Sequence, residues 1–531
     1  MNNITMKSIK RTACLFLLFS SLFKVALFSQ SVNVPLEHWV YEFVDRMQIR
    51  GFIRNGMTFS RPFSREDVAN MLAEVDRRMK ANMNNLSTTE KSIFEQLKGE
   101  FSEELRNQNI TSQERYHERH LIKWHEENNQ INIDLLFNQS IDFKSGNQYK
   151  NREKISQTTW GGIARGQFED HVGFYLLIKN TLIKGKDIYQ ENFDPARGAP
   201  ITISGKNAYT DDASAYFIWS LPWFHLELGR DHAQWGPGYR GQLMISANNP
   251  YFDMLKINVQ FKRFTFTSIH GKLNSGTGSK FIAAHRLELR LSPRFIVSGS
   301  ESVIYGNRNV EPMYINPLMP YHVAEHHLGD KDNNTMGLDI VAFPRTNHQL
   351  YFELFIDDFT TAENPWTYYG NKFAFITGWH WVNPFGFRDA DFHFEYARIE
   401  PYVYTHKENI NIYTHYDQSV GHWLGPDADN LFFKIDYLMK RDLKFAFITE
   451  RIRHGEGDIN TPHQESMGTH KKFLFGIIET TWNLGIEMRY QIFKDGFLSC
   501  SYYHLDIKNG GNIQNQHVAN NHINLKLLIN Y

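Results

Sequence analysis

The sequence predicts an all-β transmembrane antiparallel β-barrel of about 18 strands, preceded by an N-terminal α-helical bundle that plugs it from the periplasmic side. Three observations predict this fold class. The last residues alternate between apolar and polar up to a terminal aromatic, the same alternation recurs from about residue 130 onward, and short turns alternate with long polar connections. This combination is typical of bacterial outer-membrane barrels.

The final ten residues form the clearest predicted strand. The even positions are mostly polar, whereas every odd position is apolar: Ile523, Leu525, Leu527, Ile529 and Tyr531. Period-2 alternation places these two sets on opposite faces of a strand. A strand that ends on an aromatic residue is similar to the closing strand of outer-membrane barrels, so we expect residues 522–531 to close the barrel.

The same alternation marks earlier strands. Apolar residues occupy every second position in four further segments: Ile131 to Phe137, Leu287 to Leu291, Phe392 to Tyr396 and Leu431 to Met439. The intervening positions carry charged or polar groups, among them Asp134, Glu288 and Lys434. Charges on the second face predict a polar lumen and do not fit the dry core of a β-sandwich.

The connections between strands predict their number. Short connections lie at Glu169–His171, Lys262–Arg263, Ser292–Pro293, Pro344–His348 and Lys440–Asp442. Long polar stretches lie at about 181–213, 231–253, 304–334, 357–372, 400–430, 452–471 and 508–521. Tight periplasmic turns and longer extracellular loops alternate in this way in outer-membrane barrels. About nine ascending and nine descending strands account for the chain after residue 127, and the alternatives are one strand pair more or fewer between residues 400 and 495.

A helical pattern precedes the barrel, from about residue 36 to 125. Ser64 with Asp67, and Ser87 with Glu90, have the spacing of capping boxes, and each precedes apolar residues at helical spacing. A third short helix is predicted around Trp39 to Met47. Amphipathic helices need a surface on which to bury one face, and the barrel lumen offers one.

The N-terminal residues have the pattern of a secretory signal. Lys7, Lys10 and Arg11 precede an apolar run from Ala13 to Phe23, which is too short to span a bilayer as a helix. Cleavage is expected near Ser29 or Gln30; the alternative is a retained N-terminal anchor. The predicted division is therefore a signal peptide at 1–29, a helical plug region at 30–126 and an outer-membrane barrel at 127–531.

Composition narrows the function classes. Aromatic residues make up 15% of the chain, yet the mean hydropathy is -0.47, as a barrel with a wet lumen requires. The net charge of -1 favours no nucleic-acid partner. The two cysteines are Cys14, in the signal, and Cys500, so the mature chain has no cysteine pair for a disulfide or a cysteine-based metal site.

The densest motif follows a predicted strand that ends at Arg230. It runs from Asp231 to Tyr239 and contains Trp235 and a Gly-Pro-Gly sequence that fixes a sharp loop shape. Aromatic planes beside hydrogen-bonding charges suit a sugar ring, which has apolar faces and a rim of hydroxyls. The alternative is a loop folded inward, with Arg230 paired to Asp231 and Trp235 packing it.

This motif resembles the Wzi family of capsule assembly proteins. The resemblance covers Gly229-Arg230 with Trp235-Gly236-Pro237-Gly238, the stretch 243–250, and a second element from Glu311-Pro312 to Asn316-Pro317-Leu318-Met319-Pro320. One departure is that Gln234 precedes Trp235, where relatives carry paired tryptophans. The resemblance implies an eighteen-stranded barrel closed by helices, which acts as a non-catalytic lectin tethering capsular polysaccharide to the cell surface.

We therefore expect capsular or other surface polysaccharide and outer-membrane lipid as partners of a monomer, with no cofactor and no metal. The candidate polysaccharide-binding residues are Arg230, Asp231, Trp235, Tyr239, Asn248, Asn249, Tyr314, Asn316, Trp366 and Tyr368. For Trp366 and Tyr368 an interfacial aromatic belt is an equal alternative.

Two other interpretations of the sequence are weaker. His322 and His326 are four residues apart, but no assured third ligand for a metal follows. No nucleophile, base and orienting group stand in a recognisable arrangement, so we do not expect an enzyme. The alternative function is a passive, porin-like diffusion channel in the outer membrane.

Overall fold

The structure is a computed structural model. It describes residues 32–55, 59–81, 86–112, 120–149, 153–169, 172–185, 200–205, 207–221, 223–276 and 278–530. The predicted signal peptide at 1–29 and the terminal aromatic Tyr531 lie outside these residues, as does much of the predicted loop at 181–213.

Eighteen strands form a closed antiparallel barrel, which confirms the predicted fold class and strand number. Their bounds are β1 Asn129–Gly146, β2 Glu153–Phe168, β3 Val172–Lys184, β4 Asn207–Leu221, β5 Phe224–Asp231, β6 Phe252–Phe261, β7 Phe264–Leu273, β8 Lys280–Ser292, β9 Phe295–Gly306, β10 Asn333–Arg345, β11 His348–Asp358, β12 Lys372–Val382, β13 Ala390–Ile399, β14 Ala428–Lys440, β15 Leu443–His454, β16 Glu479–Phe493, β17 Gly496–Lys508 and β18 His517–Asn530. Two short strands, Ile122–Glu126 and Pro200–Ser204, add to β1 and β4.

The last predicted strand closes the barrel. β18 pairs with β1, with Leu525 opposite Ile141 and Ile529 opposite Phe137. The apolar residues of this strand lie on the outer face and the polar residues on the inner face, as the alternation predicts. The exterior is therefore an apolar belt and the lumen is polar.

The two ends of the barrel differ in their connections. At the end we call the short-turn end, strands are joined by tight turns such as 262–263, 293–294 and 441–442. At the opposite end, the long-loop end, connections include 232–251, 307–332, 400–427 and 455–478. Two connections at the long-loop end, 147–152 and 274–279, are short and were not predicted.

Helices fill part of the lumen. They are α1 Val40–Ile49, α2 Arg65–Lys80, α3 Thr88–Glu100 and α4 Ser102–Leu105. Both predicted capping boxes are present, at Ser64 with Asp67 and at Ser87 with Glu90. The apolar faces of these helices share one buried core with inward-facing wall residues such as Ile282 and Phe355.

Charged groups fix the helices to the wall near the short-turn end. Arg46 of α1 donates to the Asp391 carboxylate at 2.6 Å and to Glu90 of α3 at 2.8 Å. Because all three side chains are mostly buried, the charges need these partners to be stable there. The predicted helical plug is thus confirmed. Among the residues that the structure describes, no helix has the length and apolar character to cross a membrane.

Two further helices, α5 Pro312–Ile315 and α6 Tyr321–Leu328, belong to the connection 307–332. They share a second apolar cluster with Ala283, Val303 and Tyr305 of β8 and β9. These three wall residues alternate with the inward-facing Ile282 and Ile304, so they lie on the outer face of the barrel. The connection 307–332 therefore packs against the outside of the wall.

Candidate functional site

Arg230 and Asp231 lie on opposite faces of the wall. The alternation of β5 directs Asp231 into the lumen, together with Glu227, and directs Arg230 outward. Arg230 pairs on the exterior with Asp253 of β6, with an Nη1–Oδ2 distance of 3.6 Å. The two neighbouring candidates therefore do not form one site, and they are not paired with each other.

Asp231 fixes the first described residues of the chain to the wall. The Asn33 side-chain amide donates to the carboxylates of Asp231 and Glu227, each at 2.9 Å. The backbone N–H of Asn33 donates to the Tyr216 hydroxyl at 3.1 Å. Asn33 is thus a link between the segment that leads into the helical plug and strands β4 and β5.

The Gly-Pro-Gly motif wraps around one lumen carboxylate. Glu353 of β11 accepts from the backbone N–H of Gly238 at 2.6 Å and of Leu243 at 3.0 Å. Gly236 has a φ of 129°, and a Cβ at this position would lie 2.5 Å from a Glu353 carboxylate oxygen. Glycine is therefore required both by the backbone conformation and by the close approach of Glu353.

Two further lumen carboxylates hold the next residues. Glu395 of β13 accepts from the backbone N–H groups of Tyr239 at 2.6 Å and Arg240 at 3.0 Å. The Arg240 guanidinium in turn donates to Glu450 of β15 at 3.0 Å. The loop 232–251 is thus held in the lumen by carboxylates on three strands. Of the three glutamates, only Glu395 lies in a segment whose alternation the sequence analysis identified, between Phe394 and Tyr396, and that alternation gave no indication of its partner.

Trp235 is buried inside the barrel. It is 1% exposed, it pairs with Ser60 of the plug region, and its backbone N–H donates to Ile245 at 2.9 Å. The structure agrees with the inward-folded alternative for the position of this loop and for the packing of Trp235. The Arg230–Asp231 pair of that alternative is absent, because strand alternation separates the two side chains.

Asn248 and Asn249 join the inward loop to the connection 400–427. Both side-chain amides donate to the Ser419 carbonyl, at 3.1 and 3.0 Å. The Asn249 carbonyl also lies 3.0 Å from the His232 ring nitrogen, and burial lowers the pKa of His232 to about 4. The neutral ring at pH 7 needs no counter-charge in this interior position.

The connection 400–427 closes the lumen from the long-loop end. Its tyrosines Tyr404 and Tyr413 donate to the carbonyls of Leu243 and Met244, at 2.7 and 2.9 Å. Burial lowers the pKa of its His422 to about 3. These contacts stack one inward connection on another, so the lumen is obstructed at two levels, by the connections and by the helices.

Tyr239 faces a cavity of about 320 Å³ between α1, the inward loop and the wall. Tyr239 is 42% exposed to this space, its hydroxyl accepts from Lys434 at 3.1 Å, and its ring lies 4.2 Å from His393. Glu42 of α1 lies beside Lys444 and Arg489 at 3.2 and 2.8 Å. Burial, which raises the pKa of Glu42, is outweighed by these two cations, so its pKa lies below the ordinary value.

Aromatic rings cluster on the surface of the long-loop end. The rings of Tyr368 and Tyr369 lie 4.8 Å apart, and Tyr369 stacks on His463 of the connection 455–478 at 3.7 Å. Tyr368 also forms a β-bridge with His470. We call Tyr368, Tyr369 and His463 the rim cluster; of these, only Tyr368 was among the sequence candidates.

Trp366 lies below the rim cluster, at the edge of the apolar belt that is nearest the long-loop end. Its exposed ring packs 6.1 Å from Phe373, the first outward-facing aromatic of β12, which in turn lies 5.7 Å from Phe359. Aromatic rings concentrate at this height in membrane barrels. The position of Trp366 therefore fits the interfacial alternative of the sequence analysis.

Tyr314 and Asn316 belong to the connection on the outside of the wall. Tyr314 is buried, and its hydroxyl donates to Asp332 at 2.8 Å. The exposed Asn316 accepts from the backbone N–H of Leu318 at 3.1 Å. Neither residue is close to the motif around Trp235, so the ten sequence candidates fall into separate lumen, rim and exterior groups.

The histidines of α6 form no metal cluster. The rings of His322 and His326 lie 4.4 Å apart on the exposed side of the helix. Across the described part of the chain, no group of three or more His, Cys, Asp or Glu side chains is arranged to hold a metal ion.

The family model of the capsule assembly protein Wzi matches residues 137–522. The chain belongs to the Wzi capsule assembly family. This membership and the closed barrel assign the protein to the outer membrane. No protein of curated function matches the sequence.

Solved structures are similar to this chain to different degrees, and one of them shares its fold. The Wzi outer-membrane protein of Escherichia coli, described as a carbohydrate-binding β-barrel involved in group 1 capsule assembly, superposes with a TM-score of 0.60 at 12% identity, over 94% of this chain and 99% of that chain. OprD of Pseudomonas aeruginosa gives a TM-score of 0.44 at 10% identity, over 76% and 93% of the two chains. A BenF-like porin of Pseudomonas fluorescens gives 0.44 at 9% identity, over 76% and 99%.

Proposed function

We propose that this protein binds capsular or other surface polysaccharide and attaches it to the cell surface, without making or breaking bonds. In this proposal residues 1–29 direct export, residues 30–126 plug the barrel from the periplasm, and residues 127–531 form the barrel, with its long-loop end outside the cell. One observation supports the proposal most directly: the chain belongs to the capsule assembly family, and helices obstruct the lumen of its barrel.

The obstruction is built into the fold. Helices enter from the short-turn end, and the connections 232–251 and 400–427 descend from the long-loop end. Glu353 and Glu395 each bind two backbone N–H groups of the inward loop. A diffusion channel would need these contacts to break, so the outer surface is the better candidate for the working part of the molecule.

The rim cluster is the proposed polysaccharide contact. Stacked and tilted rings at the long-loop end offer faces for the apolar side of sugar rings, and the tyrosine hydroxyls offer polar partners. Single contacts of this kind are weak, but a polymer engages many protein copies at once, and avidity then retains it. The buried Trp235 and Asn249 and the half-buried Asn248 act in this proposal by fixing the loops beneath.

The proposal is tested by deleting the protein and separating cell-bound from released polysaccharide. We expect the released fraction to rise several-fold at unchanged total synthesis. Complementation with the Tyr368→Ala, Tyr369→Ala double variant should restore the barrel but not retention, whereas Met467→Ala, at another exposed long-loop position, should restore both. Normal cell-bound polysaccharide in the deletion strain would refute the proposal.

Planar-bilayer recording separates the proposal from the channel alternative. The purified protein should show no steady conductance of porin size, because the helices and both inward connections occupy the lumen. A steady, large conductance in the unmodified protein would favour the diffusion channel.

A further inference from the structure

The connection 307–332 forms a hairpin on the outside of the barrel, which we call the external hairpin. Tyr314 of α5 packs 5.0 Å from Tyr305, near the long-loop end of β9. Tyr321, the first residue of α6, contacts His285 at 4.4 Å between ring centroids, further down the wall. The chain therefore descends to a tip at residues 316–320 and then returns upward along α6.

The hairpin covers polar groups on the exterior of the wall. Glu301 of β9 accepts from the backbone N–H groups of Tyr321 at 2.9 Å and His322 at 2.6 Å. The ring of His285 on β8 lies 3.1 Å from the same carboxylate. Both side chains alternate with lumen-facing neighbours and so project outward, toward the side of the barrel that elsewhere meets lipid.

These polar groups stand at the height of the apolar belt. His285 lies seven residues before the end of β8 at Ser292, and Ile486 lies seven residues before the end of β16 at Phe493. Ile486 is an exposed belt residue, flanked on its outer face by Leu484 and the exposed Trp482. Because strands in one barrel share a tilt and rise, His285 and Ile486 are at similar depth.

A carboxylate and an imidazole at this depth are costly if lipid touches them. The hairpin removes that contact, since its buried side supplies two N–H donors to Glu301 and packs Tyr314, Tyr321 and Ala324 against the wall. The hairpin therefore takes the place of the lipid that would otherwise cover this part of the wall.

The other side of the hairpin is apolar near its tip. Leu318 is 80% exposed, and Ile315 and Val323 are 44% and 45% exposed. The exposed, polar Asn316 and Pro317, Met319 and Pro320 complete the tip sequence. His326 and His327 lie further along α6, nearer the long-loop end. The apolar residues and His322 thus occupy the lower part of the hairpin, and His326 and His327 occupy the upper part.

We propose that the external hairpin is a membrane-inserted element, whose tip around Leu318 lies among the acyl chains of the outer leaflet. The outward-facing belt residues further down the same part of the wall, Leu287 on β8 and Leu338 on β10, are themselves exposed. His326 and His327, in the last turn of α6, then lie nearer the polar headgroups, whereas His322 stays beside Glu301. This proposal requires only that the barrel spans the membrane, so it is independent of polysaccharide binding.

Spin labelling tests the proposal in the full-length protein. In a Cys14→Ser, Cys500→Ser background, Leu318→Cys carries a nitroxide, and the protein is reconstituted in phosphatidylcholine vesicles. Collisions with oxygen, which concentrates in the acyl-chain region, are compared with collisions with a water-soluble nickel chelate. Ile486→Cys, in the middle of the belt, is the lipid reference, and Met467→Cys, at the long-loop end, is the water reference.

We expect the Leu318→Cys label to have an oxygen-to-nickel collision ratio several-fold above that at position 467 and close to that at 486. A ratio equal to that at 467 would overturn the proposal, and would leave the tip free for polysaccharide or a protein partner. The label at 318 replaces an exposed side chain, so folding should be unaffected; a lipid-like ratio at position 486 in its own variant verifies insertion of the barrel. Repeating the measurement with Glu301→Ala should lower the ratio at 318, because the hairpin then loses its attachment to the wall.

Discussion

Two connections leave the long-loop end of the barrel in opposite directions. The connection 232–251 folds into the lumen, and 307–332 folds over the exterior. Both use the same contact, in which one wall carboxylate accepts two backbone N–H groups: Glu353 accepts from Gly238 and Leu243, and Glu301 accepts from two residues at the start of α6.

The difference between the two connections lies in the face of the strand that presents the carboxylate. Glu353 stands at an inward position of β11, and Glu301 at an outward position of β9. A carboxylate placed on one face attracts backbone donors to that face, since both partners are otherwise costly to remove from water. The position of a glutamate within the alternation thus selects the direction of each loop.

The strongest test of this comparison is the Glu353→Ala, Glu395→Ala double variant. Four backbone N–H groups of the inward loop lose their acceptors, at roughly 1–3 kcal/mol for each donor left buried and unsatisfied. We expect a large loss of thermal stability. It is measured as the temperature at which the band in a detergent gel changes from the mobility of the folded barrel to that of the unfolded chain. Conductance in planar bilayers should also appear. A closed, equally stable variant would show that the carboxylates do not hold the loop.

The matching change on the exterior is Glu301→Ala. Two donors lose their acceptor, again at roughly 1–3 kcal/mol each, but the lumen contacts remain. Hydrogen exchange should accelerate in residues 312–328 and stay unchanged in residues 234–246, and the protein should remain non-conducting. Equal acceleration in both segments would contradict the separation of the two faces.

A smaller effect is expected at the N-terminal link. Asn33→Ala removes the amide that donates to both Glu227 and Asp231, and we expect a loss of about 1–3 kcal/mol. Thermal unfolding followed by circular dichroism measures it. The control Asn460→Ala, on an exposed loop, should change stability by less than about 0.5 kcal/mol. If the two variants are alike, Asn33 does not hold the plug segment.

The smallest expected effect is a pH dependence of the external hairpin. Burial, followed by Asp330 and Asp332 and then Asp358, raises the pKa of Glu325 on α6 to about 8, while Lys407 opposes the shift. A carboxyl whose pKa is higher in the folded state than in the unfolded state binds its proton more tightly when the protein is folded. The stabilisation of the hairpin by protonated Glu325 is therefore complete below about pH 4.5 and is lost as the pH rises to about 8.

Hydrogen exchange of residues 321–328, corrected for intrinsic rates, should therefore accelerate by a few-fold between pH 5 and pH 8. In Glu325→Gln, which has no titrating group at this position, the dependence should flatten. Unchanged pH dependence in this variant would show that Glu325 is not its source.

Local sequence patterns predicted most of the helices and the barrel strands. Ser64 with Asp67 and Ser87 with Glu90 start helices where the capping boxes indicated, because each box satisfies its own backbone donors within four residues. The wall positions of Asn132, Glu288 and Phe392 also follow from alternation, since a pleated strand has only two faces. The positions of the candidate site residues, in contrast, could not be predicted from local sequence patterns.

Arg230 and Asp231 show why. Adjacent in sequence within a loop motif, they suggested one site, but the strand extends to Asp231 and sends them to opposite faces. Tyr369 and His463, in contrast, are far apart in the sequence but in contact in the structure. They belong to two connections, which meet only because the closed barrel brings strands β11, β12, β15 and β16 together. Neither pairing has a local signal in the sequence.

The sequence by itself therefore determined the strand number, the two faces of the wall and the helical plug, because these depend on periodicity and on contacts between near neighbours. Only the tertiary structure decided that the Gly-Pro-Gly loop enters the lumen and that the helices after Glu311 lie on the exterior. The physical reason is that each loop follows acceptors on distant strands, Glu353 and Glu395 in one case and Glu301 in the other. Closure of the barrel fixes where those acceptors stand.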